Sequence, residues 1–414
     1  MNKRKLPRSI AAVLLASLVL FLSFSVAAFA FVSDMQVSGN IAAGGEEGDE
    51  NATVAELETV KDSLNLNCKS AILMEAATGA VLYEQNCDEA LPPASVTKVM
   101  TLLLVMEAID AGRVKLDDTV TTSERAASMG GSQIFLEVGE QMTVRDMLKS
   151  VIIASANDAA CALAEHISGS EEAFVKAMNA RAAELGMKNT CFENTNGLDD
   201  TSTAHLTSAR DIAIMSRELI KHKTILEYSS IWMDTVRNGL FGLTNTNRLV
   251  RFYKGCTGLK TGSTSKAGFC VSATAERDGL SLICVIMGAE SSDERNKAAA
   301  ALLDFGFANF GVVEHSPRAL EPIRVTGGVR DSVGVSYDPI SFLTEKGQGG
   351  RIQYRIELTD SVKAPVKAGD KVGEVIFTLD GKEVGRRDIC VTEDIGKLGF
   401  FGILWRMLGR FLLK

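Results

Sequence analysis

The 414-residue chain is short of positive charge: 44 Lys and Arg stand against 52 Asp and Glu, a formal net charge of −8. Nucleic acid is therefore excluded as a partner, because phosphate contacts need clustered Lys and Arg. Histidine is scarce as well. The four present (His166, His205, His222 and His315) are scattered and form no H-E-x-x-H pair, and the eight cysteines show no C-x-x-C spacing, so no metal or other cofactor is expected. No G-x-S-x-G elbow supports a Ser-His-Asp hydrolase of the α/β type.

The beginning of the chain sets its compartment. Lys3, Arg4, Lys5 and Arg8 precede an apolar run from Ile10 to Val26, and Ala28-Phe29-Ala30 follows as a cleavage signature. Residues 1–30 read as a secretory signal peptide, the alternative being an uncleaved membrane anchor. Export raises the question of disulfides. If Glu75 pairs with Ala80 across a tight turn, Cys68 falls opposite Cys87, within reach of a cross-strand bridge. The other six cysteines mostly lie in apolar runs and read as buried thiols.

Residues 31–62 contain the Gly-rich acidic stretch GNIAAGGEEGDEN and read as a flexible linker. Two strand patterns follow, at 69–75 and 80–86, then a long apolar helix from about Ser95 to Ala111. Helical spacing recurs at Thr143–Ser150, Asp158–His166, Glu171–Leu185 and Ser208–His222. Three strand-like runs come next, at about Gly255–Gly262, Ala267–Ala275 and Leu280–Gly288, and a helix from Ser292 to Phe310 closes the unit. The expected fold is α/β in the α+β sense, with one five-stranded antiparallel sheet built from both ends of residues 63–315 and covered by helices. Short alternating strands across residues 316–395 predict a small β-sandwich. Residues 396–414, GKLGFFGILWRMLGRFLLK, form an amphipathic helix. Arg406, Arg410 and Lys414 occupy one sector opposite Phe400, Phe401, Leu404, Trp405, Met407 and Leu408, which suits a membrane interface; a core helix packed on the sandwich is the alternative.

The stretch CTGLKTGSTSKAGFC (Cys256–Cys270) suggests a phosphate loop at first sight. That motif needs Gly directly before Lys and a helix after it, whereas Leu259 precedes Lys260 and a strand pattern follows. Three short motifs remain, in order. Ser95-Val96-Thr97-Lys98 opens the first long helix, and its spacing puts hydroxyl and amine one turn apart on one face. Ser155-Ala156-Asn157 lies between two helices, and Lys260-Thr261-Gly262 lies on the first late strand. Each alone is weak; together, in these settings, they are a strong signal.

In these motifs, in GGSQIFLEVGE (Gly130–Glu140), IIASANDAA (Ile152–Ala160) and KAPVKAGDKVGEV (Lys363–Val375), the chain resembles the D-alanyl-D-alanine carboxypeptidases among the low-molecular-mass penicillin-binding proteins. The resemblance implies a β-lactamase/transpeptidase-like domain, with peptidoglycan stem peptides ending in D-Ala-D-Ala as substrate and β-lactams as covalent inhibitors. It implies that Ser95 is the nucleophile and Lys98 its base, with Ser155 and Asn157 relaying protons and holding the substrate amide. Lys260 and Thr261 would bind the terminal carboxylate, and the backbone N–H groups of Ser95 and Ser263 would form an oxyanion hole. Gly262 would leave room for substrate along the strand. The tail would hold the protein on the outer face of the cytoplasmic membrane. Ser263 departs from relatives that carry histidine there. Glu193, near where a β-lactamase keeps its deacylating glutamate, leaves a β-lactamase as one alternative and a catalytically silent penicillin sensor as another.

Overall fold

The structure, a computed structural model, describes residues 52–54, 60–61, 64–199 and 203–412. The expected signal peptide and most of the expected linker lie outside the described residues. Two short strands nevertheless fall within 31–62: Ala52–Val54 pairs in parallel with Ser341–Leu343, and Val60–Lys61 pairs in parallel with Tyr83–Glu84.

Strands β1 (Ser70–Glu75) and β2 (Val81–Gln85) form the first hairpin. The chain then runs through helices α1 (Lys98–Asp110), α2 (Val144–Ile153), α3 (Asn157–Ser168), α4 (Glu171–Glu184) and α5 (Ala209–Lys221). It returns to the sheet as β3 (Cys256–Thr264), β4 (Gly268–Arg277) and β5 (Leu280–Ala289), and ends the unit with α6 (Ser292–Asn309). The strand order is β2-β1-β5-β4-β3, antiparallel throughout, with Val60–Lys61 added outside β2. Five antiparallel strands match the expectation; the two-residue sixth strand is too short to carry a period.

Both faces of the sheet are covered, which is why β5 reads as a continuous apolar run. One core lies on the side of α1, which is buried nearly all round (Val99, Met100, Leu102, Leu103, Val105, Met106). The other packs Ala299, Leu302 and Leu303 of α6 against Leu73, Leu282 and Cys284.

The hairpin corrects one expectation. Glu75 N–H does donate to Ala80 O, 2.8 Å, but a β-bulge between Leu73 and Met74 shifts the register, so Leu73 pairs with Tyr83 and Ala71 with Gln85. Cys68 and Cys87 are therefore out of step and unbridged, and all eight cysteines are free thiols.

Residues 323–391 form the sandwich, whose four-stranded sheet includes Ile352–Leu358, Lys371–Leu379 and Lys382–Val391 around Val375, Phe377 and Ile389. Helix α7 (Phe400–Leu412) follows. Among the described residues no helix is long and apolar enough to cross a membrane.

Candidate active site

Ser95 sits in a 3-10 turn, Ala94–Thr97, that leads directly into α1. Ala94 before it has φ +49, a left-handed conformation that costs a side-chain-bearing residue about 1–3 kcal/mol. Lys98, one turn on, is completely buried, with Nζ 2.9 Å from Ser95 Oγ and 2.9 Å from Asn196 O. Burial, and after it the charge of Lys260, push its pKa well below the ordinary lysine value, opposed in part by Asp158.

Ser155 occupies the turn between α2 and α3 with φ +62 and is almost fully buried. Asn157, the first residue of α3, has no side-chain cap before it; its N–H donates instead to Ser132 O at 2.7 Å. Its Nδ2 donates to Gly130 O at 2.7 Å, while Oδ1 is buried without a hydrogen-bond partner among the described residues. Asp158 braces the same loop by accepting from Ile134 N–H and Leu136 N–H, both 3.1 Å. Arg237, on the turn of the hairpin Met233–Thr244, donates to Ile134 O at 2.7 Å from the other side.

On β3, Lys260 is completely buried and donates to Thr261 O at 2.9 Å; Thr261 Oγ1 donates to Thr246 Oγ1 at 2.7 Å. Burial, with Arg295 second, lowers the Lys260 pKa to about 7. Gly262 packs onto the Ser95 turn so tightly that a Cβ there would lie 2.7 Å from Ser95 N and 2.8 Å from Val96 N. The close approach of two backbones, rather than room for a ligand alone, demands glycine here. Ser263 is exposed.

These elements meet at a cleft of about 250 Å³ lined by Ser95, Ser155, Thr261, Gly262 and Ser263. Lys98, Asn157 and Lys260 are buried behind it. Sequence reasoning missed the other lining residues: Ser132, Thr246, Arg248, Phe269, Ser292 and Arg295. Ser132 lies within the quoted stretch Gly130–Glu140, but the arginines had no signal, since neither belongs to a motif. Arg295 is nearly buried, which lowers its pKa to about 10. No carboxylate lines the cleft among the described residues. The result is a narrow, positive slot with a hydroxyl at its floor, a neutralisable amine behind that hydroxyl, and an unpaired carbonyl acceptor beside it.

Glu193 is not part of this group. Its Oε2 accepts from Thr203 N–H and Ala204 N–H, at 3.1 and 3.2 Å. Cys256 and Cys270 are thiols, Cys256 Sγ donating to Gly258 O at 3.2 Å, and burial raises both to about 11.

Residues 56–291 match the D-alanyl-D-alanine carboxypeptidase family, and residues 318–397 match the C-terminal domain of penicillin-binding protein 5. The chain is 44% identical over 348 residues to the D-alanyl-D-alanine carboxypeptidase DacF of Bacillus subtilis, spanning 82% of this chain and 89% of that protein. It is similar to the crystal structure of penicillin-binding protein 5 from Haemophilus influenzae (TM-score 0.65, 33% identity, 80% of this chain and 98% of that one). It is also similar to the ampicillin-bound penicillin-binding protein D2 of Listeria monocytogenes (TM-score 0.55, 33% identity, 59% of this chain and 99% of that one).

Proposed function

The chain belongs to the D-alanyl-D-alanine carboxypeptidase family and is a serine-type peptidase of that activity, and from that premise we propose how its cleft performs the reaction. The substrate is a peptidoglycan stem peptide whose terminal D-alanine carboxylate enters the positive end of the slot. Thr261 hydroxyl and the cations Arg248 and Arg295, which line the slot, receive it, with Lys260 buried behind them. The preceding D-alanine amide donates to Asn157 Oδ1, the acceptor left without a partner.

Ser95 Oγ attacks the carbonyl between the two D-alanines, and its proton passes to Lys98 Nζ 2.9 Å away. Ser95 N–H and Ser263 N–H donate to the oxyanion. The proton returns through Ser155 to the leaving D-alanine amine, and water then resolves the acyl-enzyme. Penicillin enters the same path and stays as the adduct. The observation that carries this reading is a completely buried lysine in contact with the serine hydroxyl, a setting in which the amine can be neutral.

Ser95→Ala should abolish both labelling by a fluorescent penicillin and D-alanine release from a D-Ala-D-Ala peptide. A labelled band in that variant would sink the assignment. A β-lactamase would hydrolyse penicillin rapidly rather than hold it; Glu193, whose carboxylate is engaged by backbone outside the cleft, argues against that reading. A catalytically silent sensor would release no D-alanine. We further propose a catalytic unit over residues 63–315 carried on a sandwich pedestal over 316–395. Export then places the protein on the outer face of the cytoplasmic membrane, with residues 396–414 lying in the lipid interface.

A further inference from the structure

A trans peptide unit is planar, so its C=O and N–H point in opposite directions and whatever fixes one aims the other. The unit joining Ala94 to Ser95 carries the Ser95 N–H, and its nitrogen lies beside β3, within 2.7 Å of where a Gly262 Cβ would stand. Its other end, Ala94 O, is held inside the protein. Thr97 Oγ1 donates to Ala94 O at 2.8 Å, and His205 Nε2 lies 2.7 Å from the same hydroxyl. Glu193 N–H donates to His205 Nδ1 at 3.0 Å, so Nδ1 is the acceptor nitrogen and Nε2 carries the proton that goes to Thr97. Glu193 N–H, His205, Thr97 Oγ1 and Ala94 O thus form a chain of hydrogen bonds running in one direction, and each bond polarises the next.

The surroundings leave this arrangement no slack. Thr97 is completely buried and His205 nearly so. A Cβ on Gly197 would lie 1.8 Å from Ala94 O and 2.7 Å from Thr97 Oγ1, so the segment after Glu193 closes over the carbonyl. Phe192 meets the His205 ring edge-on, 5.7 Å between centroids. Burial lowers the His205 pKa to about 4 against the opposing pull of Glu193 and Asp199, which keeps Nδ1 free to accept. Ala94 pays for its left-handed φ of +49, and a conformation of that kind persists only where neighbours over-determine it.

We propose that His205 is a positioning residue which, through Thr97 and Ala94 O, sets the direction of the Ser95 N–H toward the developing oxyanion. The inference rests on the reading of that N–H as an oxyanion donor. His205 touches neither substrate nor Ser95; its effect is on the acylation step and not on entry into the cleft.

Thr97→Val keeps the side-chain shape and removes both hydrogen bonds, and His205→Ala removes the donor. His205→Gln restores it, because the glutamine amide can present N–H to Thr97 and C=O to Glu193 N–H. Stopped-flow acylation by a fluorescent penicillin gives a rate constant, a pre-covalent affinity and an amplitude. Losing an oxyanion donor outright costs about a hundred- to a thousandfold, so a misdirected one should slow acylation about ten- to a hundredfold in Thr97→Val and in His205→Ala. The affinity and the amplitude should stay unchanged, His205→Gln should recover to within about threefold, and the double variant should be no slower than the slower single one. A loss of amplitude with an unchanged rate constant would mean a merely structural role and would overturn the proposal. So would wild-type rates in Thr97→Val, or multiplying effects in the double variant. If His205→Ala does not fold, Thr97→Val and His205→Gln still decide. Retained labelling of Ser95→Ala would instead break the reading on which the inference rests.

Discussion

A lysine serves as a base only if folding weakens its hold on a proton, and Lys98 meets that condition by burial first and by Lys260 second. The sign of the second effect gives a test. With the Lys260 charge removed, as in Lys260→Met, the pKa of Lys98 rises toward its ordinary value, and the neutral amine then exists only at higher pH. The acid limb of penicillin acylation should move upward, whatever happens to the height of the profile through weakened carboxylate binding. A limb that stays in place would mean that Lys98 is not the titrating group. Gly262 tests the neighbouring contact. Gly262→Ala drives a Cβ to 2.7 Å from Ser95 N and 2.8 Å from Val96 N; overpacking of this kind typically costs about 1–3 kcal/mol. We expect a lower melting temperature and acylation slowed at least tenfold; a variant acylated at the wild-type rate would show that the turn can yield. The motif made Gly262 legible as a special position, but its cause was not. The backbone it touches lies far upstream, and periodicity carries no information about such an approach. Arg248 and Arg295 were hidden for the same reason, since their meaning comes from converging on one slot.

Helices and strands were legible where one residue pattern decides them. The apolar spacing of α3 to α5 and the strand runs of β3 to β5 marked each element to within a few residues, because burial on one or both faces dictates their composition. The bulge between Leu73 and Met74 was not legible, because β1 is buried at every position and carries no alternation that a shifted register would disturb. Its consequence is checkable. With all eight cysteines reduced, an excess of dithiothreitol should leave the melting temperature unchanged, whereas a drop of several degrees would reveal a bridge. Asp158 shows how one side chain sets the shape of a loop. Asp158→Ala leaves the N–H groups of Ile134 and Leu136 without their acceptor, at about 1–3 kcal/mol for a buried donor left unpaired. The loop that supplies Gly130 O to Asn157 and Ser132 to the cleft should then loosen. We expect slower acylation together with the lower melting temperature, and a variant that loses stability alone would separate the loop from the site.

The sandwich and α7 raise a different question, because α7 turns its apolar side outward. Phe401 and Trp405 are 82% and 81% exposed, while Arg406 faces the sandwich and donates to Asp331 Oδ1 at 2.7 Å. The sequence projection had set the basic sector against headgroups; here Arg406 pins the helix and leaves the aromatic residues as the free surface. An exposed apolar face of this size is costly in water, and each such side chain contributes about 1.5–3 kcal/mol when fully buried. Truncation after Ile395 isolates this face. The bonds between Val366 and Ile395 remain; what is lost is the exposed Arg406–Asp331 pair, of a kind worth at most about 1 kcal/mol, and two peripheral backbone bonds, Val329 N–H to Gly396 O and Leu398 N–H to Gly327 O. The shortened chain should therefore fold and release D-alanine from a soluble peptide at the full-length rate. It should fail to co-sediment with vesicles containing phosphatidylglycerol, which the full-length chain should bind with a blue shift in Trp405 emission. Equal sedimentation of the two forms would rule out α7 as the membrane contact, whereas a slower soluble reaction in the shortened form would mean that the helix supports the enzyme itself.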